Sequence, residues 1–430
     1  MESSDAPRAA AGPGGANGPL EGVRVIDMTS IMMGPFATQI LADYGADVLK
    51  VESLDGDGVR GVGPMRHSGM GPLYLHANRN ERSIAVDLKR SEGREILLKV
   101  LTRADVLVFN VRPHAMDRLG LSYDEIREVN PAIIYVGGVG FGSNGPYAGR
   151  PAYDDLIQGL SGLAALGVRA GADEPRYAPS VIADRVTGLS IANAVLSALY
   201  HRSRTGEGQR VEVPMFETMV QLVLGDHFGG RTFEPPLGEM GYPRLLSRYR
   251  RPYATKDGYI CVVVYTDSHW RAFFDLIGMR DAFEADERFA DIGSRTKHID
   301  ELYELVAENL LTRATAEWLS LLEKADIPAM PMHTPESLLN DPHLVAVRFF
   351  EKVEHPTEGR LVQMRVPSEW STAQRTSHTP APRLGEHTRE VLRTIGYQEN
   401  VIASWIQQGI VVDDETLSNR LQRRRSSDGT

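Results

Sequence analysis

VRVIDMTSIMMGPFATQILADYGADVLKVE, residues 23–52, holds two apolar runs with a helical period between them. GVRVIDM reads as a buried strand and ADVLKVE as the next one. Between them, GPFATQILADYG carries Pro35 near its first turn and Gly45 at its end, the usual punctuation of a helix. Strand, helix, strand in that order implies a parallel pair joined by a right-handed crossover, and hence an open α/β sheet.

The same alternation continues outward. SEGREILLKVLTRA is expected to form a helix capped by Ser91, followed by the strand DVLVFNV. SYDEIREVN is a further helix before the strand AIIYVGGVGF, and QRVEVPM a strand after a long helix that ends in the basic YHRSR. After about Leu224 the style changes. A stretch rich in Pro, Gly and Arg leads to the strand YICVVVY and to amphipathic helices such as SHWRAFFDLIGM and HIDELYELVAENLL. The expected organisation is a large Rossmann-like domain over 19–224 and 335–412, with a smaller α+β domain inserted at 225–334. A disordered leader, 1–18, and a polar tail, 413–430, flank them.

Composition narrows the function. A net charge of −10 over 430 residues disfavours nucleic-acid binding, which needs a basic face. It leaves room for a phosphate-bearing ligand held by a local group of cations. One cysteine, Cys261, permits no internal disulfide and fits a reducing cytoplasm; in its strand it is expected to be inert packing. No signal peptide and no membrane-length apolar run are read, so no membrane partner is expected; with no H-E-x-x-H, no paired C-x-x-C and scattered histidines, no metal is expected either. GFGSNG, residues 140–145, matches G-x-G-x-x-G, but PYAGRPAYDD follows it with two prolines and no helical period. A dinucleotide fold needs a helix there. The stretch is expected to be a glycine-rich active-site loop.

VIADRVTGLSIANAVLSALYHRSRTGEGQ brings one carboxylate, Asp184, to the start of a helix. Two roles are open to it: an N-cap, which Asp favours, or a nucleophile needing no deprotonating base when ionised.

Six stretches, in order, resemble the class III CoA-transferases (the formyl-CoA transferase-type, CaiB/BaiF family): residues 23–52, NRNERSIAVDLKRSEGRE, FNVRPHAMDRLGLSYDEI, AIIYVGGVGFGSNGPY, HRSRTGEGQRVEV and RLGEHTREVLRTIGY. The resemblance implies a fold in which two subunits interlock into a homodimer. It implies CoA transfer from an acyl-CoA donor to a carboxylic acid through aspartyl anhydride and aspartyl-CoA thioester intermediates on Asp184. The CoA thioester is then a substrate, and no tightly bound cofactor is expected. By matched position, Lys89, Asn110 and Arg118 would meet the nucleotide, with Arg112 a further candidate and Val86 and Ala115 as apolar neighbours. Ile31 and Met33 would line the cleft near the thioester. An auxiliary acid would be Asp155, favoured by spacing, or Asp154 one residue earlier.

Two alternatives are carried: a racemase of α-methylacyl-CoA from the same family, and a non-catalytic CoA-binding protein. The racemase pattern has His-Asp where this chain has Tyr153-Asp154, and a phenol is a poor proton carrier near neutrality. Oxalate-using transferases carry glutamine at the position of Met32 and a glycine loop where this chain has PRLLSRYRRPY. Arg244, Arg248, Arg250 and Arg251 are instead candidates to meet the second carboxylate of a C4–C6 dicarboxylate acceptor.

Overall fold

The computed structural model describes residues 18–372 and 378–416. The expected leader and tail fall outside these, apart from Gly18 and Asp413–Thr416. The strands read from the sequence appear as β1 (Arg24–Met28), β2 (Asp47–Glu52), β4 (Val106–Phe109), β5 (Ile134–Val139) and β6 (Gln209–Pro214). Between β2 and β4 lies β3 (Glu81–Val86), whose polar first half hides it from a search for apolar runs. Among the described residues these six and Val411–Val412 form one sheet. Its order is Val411–Val412, β3, β2, β1, β4, β5, β6, parallel throughout except for the antiparallel pairing of Val411–Val412 with β3. Val25 sits opposite Val48 on one side and Val106 on the other. The order reverses at β1, and in such sheets ligands bind beyond the strand ends where it reverses.

One face of the sheet buries Ile26, Leu49, Ile84 and Leu107 against Ile96 and Leu97 of helix Ser91–Leu101 and Ile402 of helix Glu399–Gln407. Each fully buried aliphatic side chain contributes roughly 1.5–3 kcal/mol. Ser91 does not cap its helix: the N-cap is Arg90, and the Ser91 hydroxyl donates to Glu92 instead. The other face takes helices Met33–Asp43 and Ile182–Thr205. By length and composition the latter is apolar enough to cross a membrane, unlike the sequence reading; here it packs on β5, β6 and the helix Met33–Asp43. Gly188 lets those two helices close up, since a Cβ there would stand 2.7 Å from the Met33 carbonyl.

A second compact unit comprises Gln158–Ala178 and Val220–Arg348, the first comprising the other described residues. It takes in more than 225–334. Arg169, on helix Leu163–Arg169, donates to the Met240 carbonyl, and Gly171 abuts Arg248, which ties the earlier segment to it. Its core joins Trp270, Phe273, Phe274 and Trp318 beside the antiparallel strands Tyr253–Ala254, Tyr259–Val262 and Ala329–Pro331. The Trp318 indole N–H donates to the Leu310 carbonyl at 2.9 Å, so its burial strands no donor. Cys261, expected as buried packing, is exposed: Tyr259–Val262 alternates, turning Ile260 and Val262 inward and Cys261 out.

Candidate active site

Beyond the ends of β1, β4 and β5 lies a cavity of about 620 Å³. Ile31, Met33, Asn110, Arg112, Ala115, Arg118, Tyr153, Asp154 and Asp184 all line it. Nine of the residues singled out from sequence therefore meet at the point where the strand order reverses.

Asp184 does not cap its helix. The helix starts at Ile182 after Val181, which makes no side-chain cap, so Asp184 stands in the first turn. Its own N–H is an orphan donor there, and Oδ1 of Asp154 accepts it at 3.0 Å. The aspartate doing the capping is Asp154, from the neighbouring helix Asp154–Leu160. Asp184 is 8 % exposed. Burial, then the Asp154 carboxylate, push its carboxyl up to about 7, with Arg185 opposing. Arg185 leans away to stack 4.4 Å from the Phe36 ring.

Asp155, the favoured auxiliary acid, is exposed and does not line the cavity; Asp154 is buried and does. One residue along a helix turns a side chain by about 100°, which spacing alone does not resolve. Tyr153 lies at the rim, 70 % exposed.

Other residues fall elsewhere. Lys89 lines an adjoining cleft of about 730 Å³ with Arg90 and Arg94, and Ala115 and Arg118 border both spaces. Val86 is a core residue at the end of β3. Met32, 3 % exposed, turns away from the cavity into a second apolar cluster with Val59, Met70 and Tyr74, so it is not a substrate contact. Asn110 borders the cavity, and its amide clamps the loop after β1: Oδ1 accepts the Ser30 N–H at 3.0 Å and Nδ2 donates to the Ser30 carbonyl at 2.8 Å, which leaves one amide N–H over. In the second unit Arg248, Arg250 and Arg251 are exposed. Arg244 is committed, donating to the Tyr303 hydroxyl at 2.9 Å and lying over the Tyr265 ring.

Sequence reading missed several groups. His114, Arg150, Gly138 and Val139 also line the cavity, next to Gly140 and Phe141 of the expected glycine-rich active-site loop. Beneath it lies a buried charge network. Lys50 sits 3.4 Å from both Asp27 and Asp57, and Arg60 pairs with Glu52 at 2.7 Å. Burial opposes the Lys50 charge, but Asp27, Glu81, Asp57 and Glu52 outweigh it and raise its pKa. Burial, with Asp27 adding to it, pushes Glu81 well above the usual carboxylate range, with Lys50 opposing. The available signal was a lysine and a glutamate inside a central strand, LKVE, since a wholly buried ammonium is kept only with partners.

The glycine-rich loop holds no phosphate cradle. The Gly142 N–H donates to Glu217 at 2.9 Å and the Ser143 N–H to Glu212 at 2.7 Å, so carboxylates occupy the anion positions.

A sequence model of CoA-transferase family III matches residues 20–388. The (R)-2-hydroxy-4-methylpentanoate CoA-transferase of Clostridioides difficile is 31 % identical over 402 residues, covering 91 % of this chain and 99 % of its own. A succinate–glutarate CoA-transferase of Agrobacterium fabrum is 32 % identical over 384 residues, covering 87 % and 95 %. A crystal structure of a CaiB/BaiF family protein from Brucella suis superposes with a TM-score of 0.73 at 31 % identity, covering 88 % of this chain and 100 % of that one. With that coverage and a cavity at the reversal of the sheet, the chain belongs to CoA-transferase family III and is a class III CoA-transferase.

Proposed function

We propose that Asp184 is the nucleophile of the transfer. Its ionised oxygen attacks the thioester carbonyl of the donor, the C–S bond breaks, and an acyl-aspartyl anhydride and CoA thiolate result. The thiolate then attacks the aspartyl carbonyl, releasing the donor acid and leaving aspartyl-CoA. The acceptor carboxylate repeats the two exchanges in reverse order, which returns Asp184 as a carboxylate. Donor and acceptor exchange CoA with no net proton, oxidant or reductant consumed.

The observation that carries this reading is the setting of Asp184. It is a buried carboxyl in the cavity at the reversal of the sheet, beside a basic cleft that shares Arg118. Its raised pKa makes the carboxylate less stable and more reactive than an exposed one. Arg112 and Arg118, with Lys89 in the adjoining cleft, supply the cations a CoA diphosphate needs in an acidic protein. Asp154 serves as the auxiliary acid that fixes Asp184.

The acceptor is a C4–C6 dicarboxylate; in support, a relative is named for succinate and glutarate. The working unit is an interlocked homodimer in the cytoplasm, with acyl-CoA and carboxylic acids as its partners. Intact-protein and peptide mass spectrometry after incubation with a panel of acyl-CoAs, succinyl-CoA first, tests the chemistry. An acyl or CoA adduct on Asp184 is expected, and Asp184→Ala should abolish both adduct and transfer. Full transfer by that variant overturns the assignment. A histidine, His114, does border the cavity. Solvent deuterium entering the α-carbon without an acceptor acid would therefore mark a racemase, and CoA binding without any adduct a carrier.

A further inference from the structure

The loop after β1 is held at three successive amides. Asp27 accepts the Thr29 N–H at 2.7 Å, and Asn110 clamps Ser30. Asp57 receives the Ile31 N–H on both carboxylate oxygens, at 3.0 and 3.2 Å. Ile31 has φ of +71°, a left-handed conformation that a β-branched residue adopts only under restraint. Its side chain, backed by Gly58, lines the Asp184 cavity. Asp57 itself does not line it. Behind the loop, Lys50 pairs with Asp27 and Asp57 and donates to the Thr29 carbonyl at 3.0 Å. Asp27, Lys50 and Asp57 are buried, while Ile31 itself is 42 % exposed.

We propose that Asp57 is a positioning residue for CoA transfer: anchored by Lys50, its carboxylate holds Ile31 left-handed and so sets the wall against which the thioester lies. This rests on the reading that the Asp184 cavity takes the acyl-CoA. A wall displaced by about 1 Å costs roughly a hundredfold in rate when it orients the reacting carbonyl. A merely structural Asp57 would lower stability without that selective loss.

Glycine separates the two. It adopts positive φ without a Cβ clash, so at position 31 it has less need of the carboxylate. In the native background, Asp57→Ala is expected to lower kcat about 30-fold or more, with KM for acyl-CoA changed less than about threefold. In an Ile31→Gly background the same substitution should lower kcat by less than about threefold further. An equal fall in both backgrounds overturns the proposal. Should Asp57→Ala fail to fold, Asp57→Asn decides. It keeps an oxygen for the Ile31 N–H and should hold kcat within about fivefold of native, whereas a folded Asp57→Asn that loses activity as deeply as 30-fold overturns the proposal. Adduct formation on Asp184 in the native protein is measured alongside. Its absence removes the nucleophile reading itself, while an adduct together with equal falls removes the positioning claim alone.

Discussion

The backbone N–H of Asp184 donates to Oδ1 of Asp154 at 3.0 Å, so one carboxylate caps the helix that carries the other. Burial, and then the like charge of Asp154, push the Asp184 carboxyl up to about 7. Only its ionised form can attack a thioester. The rate kcat/KM for acyl-CoA should therefore rise about tenfold per pH unit below 7 and level off above it. Asp154→Asn removes the smaller of the two upward influences and should move the midpoint to lower pH, leaving it above 4 because burial remains. A pH–rate profile of both proteins checks this.

The same shift is a stability statement. A carboxyl raised from 3.8 to about 7 on folding favours the native state while it is protonated. That contribution is whole below pH 4 and is lost as pH rises through 7, a swing on the order of 4 kcal/mol. Asp184→Asn does not titrate. It should melt above the native protein at pH 8, with the gap closing by pH 4.5. Thermal melts at the two pH values provide the comparison, since other groups titrate alike in both proteins.

Arg118 borders both the cavity and the basic cleft. Arg118→Ala should raise KM for acyl-CoA about 10- to 100-fold, the worth of one charge-assisted hydrogen bond, and leave kcat within about threefold. The loss should shrink as salt increases, because screening weakens the native contact. Steady-state kinetics at low and high ionic strength would show it.

Gly188→Ala offers a test of sign. Inside an exposed helix the change gains about 0.5–1 kcal/mol. Here the new Cβ meets the Met33 carbonyl at 2.7 Å and Phe36 at 3.0 Å, so a loss of about 1–3 kcal/mol is expected. Urea denaturation distinguishes them. Met33 begins the helix behind the cavity wall, so transfer activity should fall as well.

What could be read beforehand follows from where the chemistry resides. β1, β2, β4 and β5 lie inside the sheet, and their apolar runs announce them. β3 opens with Glu81, Arg82 and Ser83, whose polarity serves the buried network: the Ser83 hydroxyl donates to Glu52 at 2.7 Å. That polarity masks the strand. Val411–Val412 is two residues long, too short for any period to show. Within the cavity, Asp184, Arg112, Arg118 and Ile31 were reached through the family pattern. The choice between Asp154 and Asp155 was not, because it depends on helical rotation. Asn110 was found for its position, but its clamp on Ser30 was not, since a side-chain amide that holds a backbone leaves no mark on spacing. Asp57 and Lys50 act through another residue, and a motif of cavity contacts passes over them.

The glycine-rich turn at 140–145 has one more consequence. Successive amides in such a turn form a nest that captures anions. In this chain Glu212 and Glu217, from β6 and the helix Met215–His227, already fill it. The protein is its own ligand there. A turn whose letters match a nucleotide-binding motif is here an internal latch, fastening the end of β5 to β6 and the helix that follows it.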